Sequence, residues 1–146
     1  MKKILFLLSI LCSIFIGVSA QTNFSIKLYA GSNAPWGESQ FLSIDAKSHV
    51  HYELSEVNKG VKDSSSFTIT KSQMQDIEAV VNKIRFFSLN ASYNSQSRDG
   101  TRLSVEVLQS GKSHSVSWIN IQTNESTQLL DKLNSILKSR GINIHY

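Results

Sequence analysis

Residues 101–120, TRLSVEVLQSGKSHSVSWIN, decide the fold of this chain. They contain two strand-like segments, residues 101–109 and 112–120, which are separated only by Ser110 and Gly111. A two-residue connection that contains glycine is typical of a tight β-hairpin. The sequence therefore predicts two neighbouring antiparallel strands in this region.

The same turn predicts which side chains face one another across the hairpin. Alternate residues of a strand share a face, so the register sets three pairs on one side: Leu103 with Trp118, Val105 with Val116, and Val107 with His114. Apolar cross-strand pairs of this kind stabilise a sheet. In this position we expect His114 to be a half-buried, hydrogen-bonded residue and not a catalytic base.

Earlier in the chain, apolar and polar residues alternate in a way that predicts further strands. The apolar members are Phe24, Ile26 and Leu28, then Leu42 and Ile44, then Val50, Tyr52 and Leu54, and finally Phe67 and Ile69. The polar residues 56–65 predict a loop or a frayed hairpin, and residues 90–100 predict the longest loop. Residues 142–144 predict a short last strand.

Two amphipathic helices are predicted by apolar residues that recur every three or four positions. The first begins at Thr70, where Gln73 completes a capping box. The second begins at Thr123 or Asn124 and ends near Gly141, a residue type favoured just beyond a helix. The order β-β-β-β-α-β-β-α predicts an α+β domain with a mainly antiparallel sheet and both helices on one face of it.

The first 20 residues predict that the protein is exported. Lys2 and Lys3 precede a short apolar run, and small residues lead up to a cleavage point after Ala20. We expect a signal peptide over residues 1–20 and a single domain over residues 21–146, located in the periplasm or outside the cell. No later segment has the roughly 20 apolar residues of a transmembrane helix, so none is expected in the mature chain.

Composition narrows the chemistry further. The only cysteine, Cys12, falls within the predicted signal peptide, so the domain has no disulfide and is stabilised by packing alone. Without Lys2 and Lys3, the remaining 13 basic residues exceed the 11 acidic residues by only 2 and are scattered along the sequence. Nucleic-acid-binding surfaces need clustered basic residues, so no nucleic acid partner is expected.

The loop between the first two predicted strands, residues 31–37, is the candidate binding segment. It contains Asn33, Pro35 and Trp36. Tryptophan contributes much of the binding energy at many interfaces, which makes Trp36 a candidate contact residue. The alternative is that its ring folds back and caps an open end of the sheet.

A candidate metal site follows from His49, His51 and Glu53, which alternate along one predicted strand and would share a face. Imidazole and carboxylate groups are suitable ligands for zinc or copper. The alternative is that these polar residues form the solvent-exposed face of a hairpin. No Gly-x-Ser-x-Gly or other nucleophile motif occurs, so we assign no catalytic residue and no cofactor.

Several short segments together resemble small exported bacterial domains and, more distantly, the emfourin-type inhibitors of thermolysin-like metallopeptidases. The similarity covers about residues 24–140 and rests on the pattern of FTIT at 67–70, FFSL at 86–89, Tyr93, DGT at 99–101, VEV at 105–107, GK at 111–112, HSV at 114–116 and the closing leucine helix. Such relatives carry a glycine-rich loop after the first strand, where residues 31–37 lie. The resemblance implies a protein-binding or inhibitory role and transfers no individual residue.

These observations predict an exported, non-enzymatic domain that binds another protein, with a peptidase as one class of partner. The alternative is a metal-binding protein or a metal-dependent enzyme that uses His49, His51 and Glu53.

Overall fold

The computed structural model describes residues 23–32, 37–96 and 100–146. Within these ranges the chain forms one seven-stranded sheet and two α-helices. The strands are β1 (Ser25–Ser32), β2 (Glu38–Ile44), β3 (His49–Glu56), β4 (Gly60–Thr68), β5 (Ser92–Asn94), β6 (Thr101–Gln109) and β7 (Lys112–Ile119). The helices are α1 (Lys71–Lys83) and α2 (Asn124–Leu137), and the predicted signal peptide lies outside the described residues.

The strand order across the sheet is β4-β3-β2-β1-β6-β7-β5, so that β1 is the central strand. All neighbouring strands are antiparallel except β5 and β7, which are parallel. This confirms the predicted α+β class and order of elements, with β5 as an addition. The prediction of a loop over residues 90–100 was wrong at β5, where Tyr93 stacks on Trp118 with ring centroids 6.0 Å apart.

The register predicted for the hairpin of β6 and β7 is confirmed at all three pairs, Leu103 with Trp118, Val105 with Val116, and Val107 with His114. His114 is half-buried, and its Nε2 donates to the carbonyl oxygen of Leu89 at 3.0 Å. The short turn determined this register because it leaves only one way to align the two strands.

The hairpin of β3 and β4 is longer than the sequence predicted. The polar residues 56–65 were expected to form a loop or a frayed hairpin, and they form a hairpin in which β3 continues to Glu56 and β4 begins at Gly60. The turn between them is possible because Asn58 and Gly60 adopt φ angles of 67° and 83°. Asparagine and glycine tolerate this left-handed region better than other residues.

Both helices begin with the side-chain hydrogen bonds that capping predicts. Thr70 accepts from the Gln73 N–H at 3.1 Å, and the Gln73 side chain accepts from the Thr70 N–H at 2.8 Å. At α2, Thr123 is the N-cap and forms the equivalent reciprocal pair with Ser126. These bonds satisfy backbone donors that the first turn of a helix leaves without a partner.

The hydrophobic core lies between one face of the sheet and the two helices. Strand residues such as Leu28, Leu42 and Val105 belong to the same buried cluster as Ile77 of α1 and Leu133 of α2. Both helices therefore pack on this face, as predicted. Side chains that point to the other face are exposed or half-buried. Neither helix of the described chain has the length and apolar character required to cross a bilayer.

The predicted last strand is absent from the described chain. Residues 142–144 run beside the sheet without joining it, although Ile142 and Ile144 are buried. Their backbone groups are bound by side-chain amides of Gln40 and Asn134 in place of a neighbouring strand.

Candidate functional site

The predicted binding loop is only partly described. Asn33, Pro35 and Trp36 lie outside the described residues, and their role stays a prediction. The strand residues that precede the loop are described, and they lead to a surface that the sequence analysis did not select.

We call the helix-free side of the sheet the open face. Its centre is occupied by Tyr29 on the central strand β1, with 41% of its surface exposed. A methyl group added at Gly31 would lie 3.0 Å from the Tyr29 hydroxyl oxygen and 3.0 Å from the Ser39 Cβ. The Tyr29 side chain therefore extends along its own strand over Gly31, and the glycine leaves the space that it occupies.

Tyr29 begins a row of three rings that crosses neighbouring strands. Phe41 on β2 lies directly opposite Tyr29, and His51 on β3 meets Phe41 edge to face with ring centroids 6.4 Å apart. We call these three residues the aromatic row. The same face carries many small hydroxyl side chains, namely Ser39, Ser43, Ser64, Ser66, Ser104, Ser115 and Ser117. The open face is thus rich in hydroxyl groups, with rings near its middle.

The three residues of the candidate metal site share the open face, as their alternation along β3 predicted. The three side chains nevertheless do not converge on one point. His49 Nδ1 lies 3.1 Å from Asp45 Oδ2, whereas His51 Nε2 lies 2.9 Å from Glu53 Oε1. Among residues 23–32, 37–96 and 100–146, no group of three or more His, Cys, Asp or Glu side chains is placed to hold a metal ion.

His51 also contacts a residue that the sequence analysis missed. Its Nδ1 lies 3.0 Å from the Ser66 Oγ on β4. Both ring nitrogens are therefore engaged, one by a hydroxyl and the other by a carboxylate. Nothing in the sequence singled out Ser66, because a loop and a frayed hairpin both remained open for residues 56–65 and left the alignment of β3 with β4 undefined.

Next to His51, an open depression of about 390 Å³ lies at the end of the hairpin of β2 and β3. It is lined by Ser43, Asp45, His49, Val50, His51, Ser66, Phe67 and Thr68. The side chains on this face carry hydroxyl, imidazole and carboxylate groups, whereas those of Val50 and Phe67 face the core. A small polar group would fit this lining.

Asp45 at the edge of the depression is held in its ionised form. Burial raises the pKa of this carboxyl, but the N–H groups of His49 and Lys47 and the His49 side chain outweigh it. The pKa of Asp45 therefore lies below its usual value. Its Oδ1 accepts from the two N–H groups at 2.9 and 2.8 Å, which closes the turn between β2 and β3.

Comparison with known proteins assigns no function, so the side chains of the open face are the main guide to it. No protein-family model matches the chain, and no curated protein matches its sequence significantly.

Proposed function

We propose that this protein is an exported binding domain that holds a partner protein against the open face of its sheet. The observation that carries the proposal is Tyr29, a large ring left exposed at the centre of a sheet whose other face is fully packed. Tyrosine is enriched among the residues that dominate binding energy, because it combines a broad apolar ring with a hydroxyl group.

The surroundings of Tyr29 favour a protein partner. Phe41 extends the apolar area toward β3, and the many serine hydroxyls of the open face can donate or accept hydrogen bonds around it. An aromatic centre within a polar rim is the usual anatomy of a protein interface.

Charge on the open face is mixed, which points to recognition by shape and hydrogen bonds. Lys27 on the central strand pairs with Glu106 on β6 at 3.6 Å, and both side chains are largely exposed. Exposed pairs of this kind contribute little stability, about 0–1 kcal/mol. The pair therefore leaves the two charges available to orient a partner.

Photo-crosslinking in the exporting cell tests the proposal. A photoreactive phenylalanine analogue replaces Tyr29 in one variant, and it replaces Asp131 on the exposed side of α2 in the matched control. We expect one discrete adduct from position 29 and none from position 131. Equal adducts from both positions, or none from position 29, would contradict the proposal.

The resemblance to emfourin-type inhibitors makes a thermolysin-like metallopeptidase the first partner to test. If the partner is of this class, the purified domain should slow peptide hydrolysis by thermolysin, and Tyr29→Ala should weaken that inhibition at least about tenfold, as for a central interface residue. Unimpaired hydrolysis would eliminate this class of partner, while the crosslinking experiment would still test the open face.

A further inference from the structure

We propose that Ser66 is a nucleophile for acyl transfer from short carboxylic esters, with His51 as its base and Glu53 as the residue that positions His51. This activity is distinct from partner binding, although His51 and Ser66 also lie on the open face. It rests on one continuous chain of contacts, in which Ser66 Oγ lies 3.0 Å from His51 Nδ1 and His51 Nε2 lies 2.9 Å from Glu53 Oε1.

The direction of both hydrogen bonds follows from the chemistry of the groups. An ionised carboxylate can only accept, so the proton of the neutral His51 ring must be on Nε2, where it is donated to Glu53. The other ring nitrogen, Nδ1, is then a free acceptor, and the Ser66 hydroxyl must donate to it. His51 is therefore in the tautomer that can take a proton from Ser66.

The pairing of the strands explains why Ser66 and His51 meet. The Asp45 N–H donates to the His49 carbonyl oxygen at 3.0 Å, so His49 directs its backbone groups toward β2. The direction of the backbone N–H and C=O groups alternates from one residue to the next along a strand. The backbone groups of His51, two residues after His49, therefore also point toward β2. His51 is thus opposite Ser66 in a pair without mutual backbone hydrogen bonds, the kind in which side chains lie closer, with Cα atoms about 4.5 Å apart.

The same alternation directs the backbone of Ser66 to the outer edge of the sheet. The strand β4 is the last strand on its side of the described sheet. The N–H of Ser66 therefore points outward from this edge, away from β3. An N–H at the nucleophile itself is one of the donors that stabilise the oxyanion formed in acyl transfer.

The reaction balances without a cofactor. Ser66 Oγ attacks the ester carbonyl carbon, and its proton moves to His51 Nδ1. The bond from the carbonyl carbon to the alcohol oxygen then breaks, and the alcohol leaves with the proton from His51. Water, with His51 again as base, attacks the acyl group on Ser66, which releases the carboxylic acid and restores the hydroxyl.

The surroundings set the size of the acyl group. Ser66 and His51 line the open depression of about 390 Å³, and the side chains of Val50 and Phe67 beneath it face the core, so only a small acyl group is held there. The His51 and Glu53 side chains are 44% and 36% exposed, so solvent weakens their mutual polarisation. We therefore expect slow acylation by small activated esters and by phosphonate reagents that mimic them.

Labelling of the purified chain with a fluorophosphonate tests the proposal, with intact mass and peptide mapping as readouts. We expect one adduct, located at Ser66. The matched control is Ser65→Ala, because Ser65 directly precedes Ser66 on β4 but lies opposite Tyr52, on the other face of the sheet. This variant should label like the wild type, whereas Ser66→Ala should not label.

Variants of the other two residues separate chemistry from structure. His51→Ala should slow labelling by about 10²-fold or more, the usual contribution of a general base. Glu53→Gln should slow labelling and move the midpoint of its pH profile, with an unchanged melting temperature for the folded domain. Absence of a Ser66 adduct in the wild type overturns the proposal, and so does a labelling rate that His51→Ala leaves unchanged.

Discussion

The side chain of Gln40 on β2 donates to the backbone carbonyl oxygen of Asn143 at 2.9 Å, across 103 positions of the chain. The same amide accepts from the His145 N–H at 3.0 Å and so binds the C-terminal segment as a neighbouring strand would. On the other side, the Asn134 amide of α2 brackets Ile144 with bonds of 2.9 and 2.7 Å. Two side-chain amides thus replace a strand partner for the last residues.

Replacement of Gln40 by leucine should release this segment. Gln40 is only 5% exposed and also donates to the Tyr52 hydroxyl, so its loss leaves buried polar groups without their partner. We expect the free energy of unfolding to fall by about 2–3 kcal/mol. Urea unfolding measures this change, and hydrogen exchange should become faster at His145. Ser39→Ala, one position earlier on the opposite face, is the control and should have little effect.

The two helix caps should differ in importance. Thr70→Ala removes a cap alone and should cost about 1 kcal/mol. Thr123→Ala should cost about 2–4 kcal/mol, because the Thr123 hydroxyl also accepts from the indole N–H of the fully buried Trp118 at 3.0 Å. Thermal unfolding of both variants gives the comparison. Thr123→Ser keeps the hydroxyl and should remain close to the wild type, and equal costs for the two alanine variants would contradict this assignment.

Gly31→Ala tests the position of the Tyr29 ring. The added methyl group would press on the Tyr29 hydroxyl and on Ser39, each at 3.0 Å, and should cost about 1–2 kcal/mol. The cost should be smaller when the same change is made in a Tyr29→Phe background, which lacks the hydroxyl. A double-mutant cycle by urea unfolding measures the difference. Strict additivity would show that the ring does not extend over Gly31.

Acid should remove the contribution of Asp45 to stability. Its pKa in the folded protein lies below the unfolded value of 3.8, so the ionised carboxylate stabilises the fold above that pH. The contribution is lost as the pH falls through the lower folded-state pKa. The side chain is 53% exposed, so we expect less than about 1 kcal/mol. The stability difference between wild type and Asp45→Asn should shrink below about pH 4, and a pH-independent difference would contradict this.

The fold was predictable wherever local signals agreed. The turn at Ser110 and Gly111 fixed the register of β6 and β7, and Thr70 with Gln73 marked the start of α1. The prediction was incomplete at β4, whose polar sequence left a loop and a frayed hairpin as alternatives. An edge strand buries little on either face, so its pattern carries no strong apolar alternation.

The candidate site was predictable only in part. The alternation of His49, His51 and Glu53 correctly placed them on one face. The turn between β2 and β3 brings Asp45 to His49, and the pairing of β3 with β4 brings Ser66 to His51, and neither contact follows from the alternation. The alternation in the first strand puts Tyr29 on the face opposite Leu28, which is the exposed face. Its position at the centre of that face depends on the order of all seven strands.

The sequence by itself determined the two helices, the strands other than β5, their order and the faces that they bury, because hydrophobic periodicity, capping and tight turns act over a few residues. Only the tertiary structure decided that β1 is central, that Gln40 holds the C-terminal segment and that Ser66 meets His51. These contacts join distant parts of the chain, and they form only when the packing of the whole sheet sets its strand order and register.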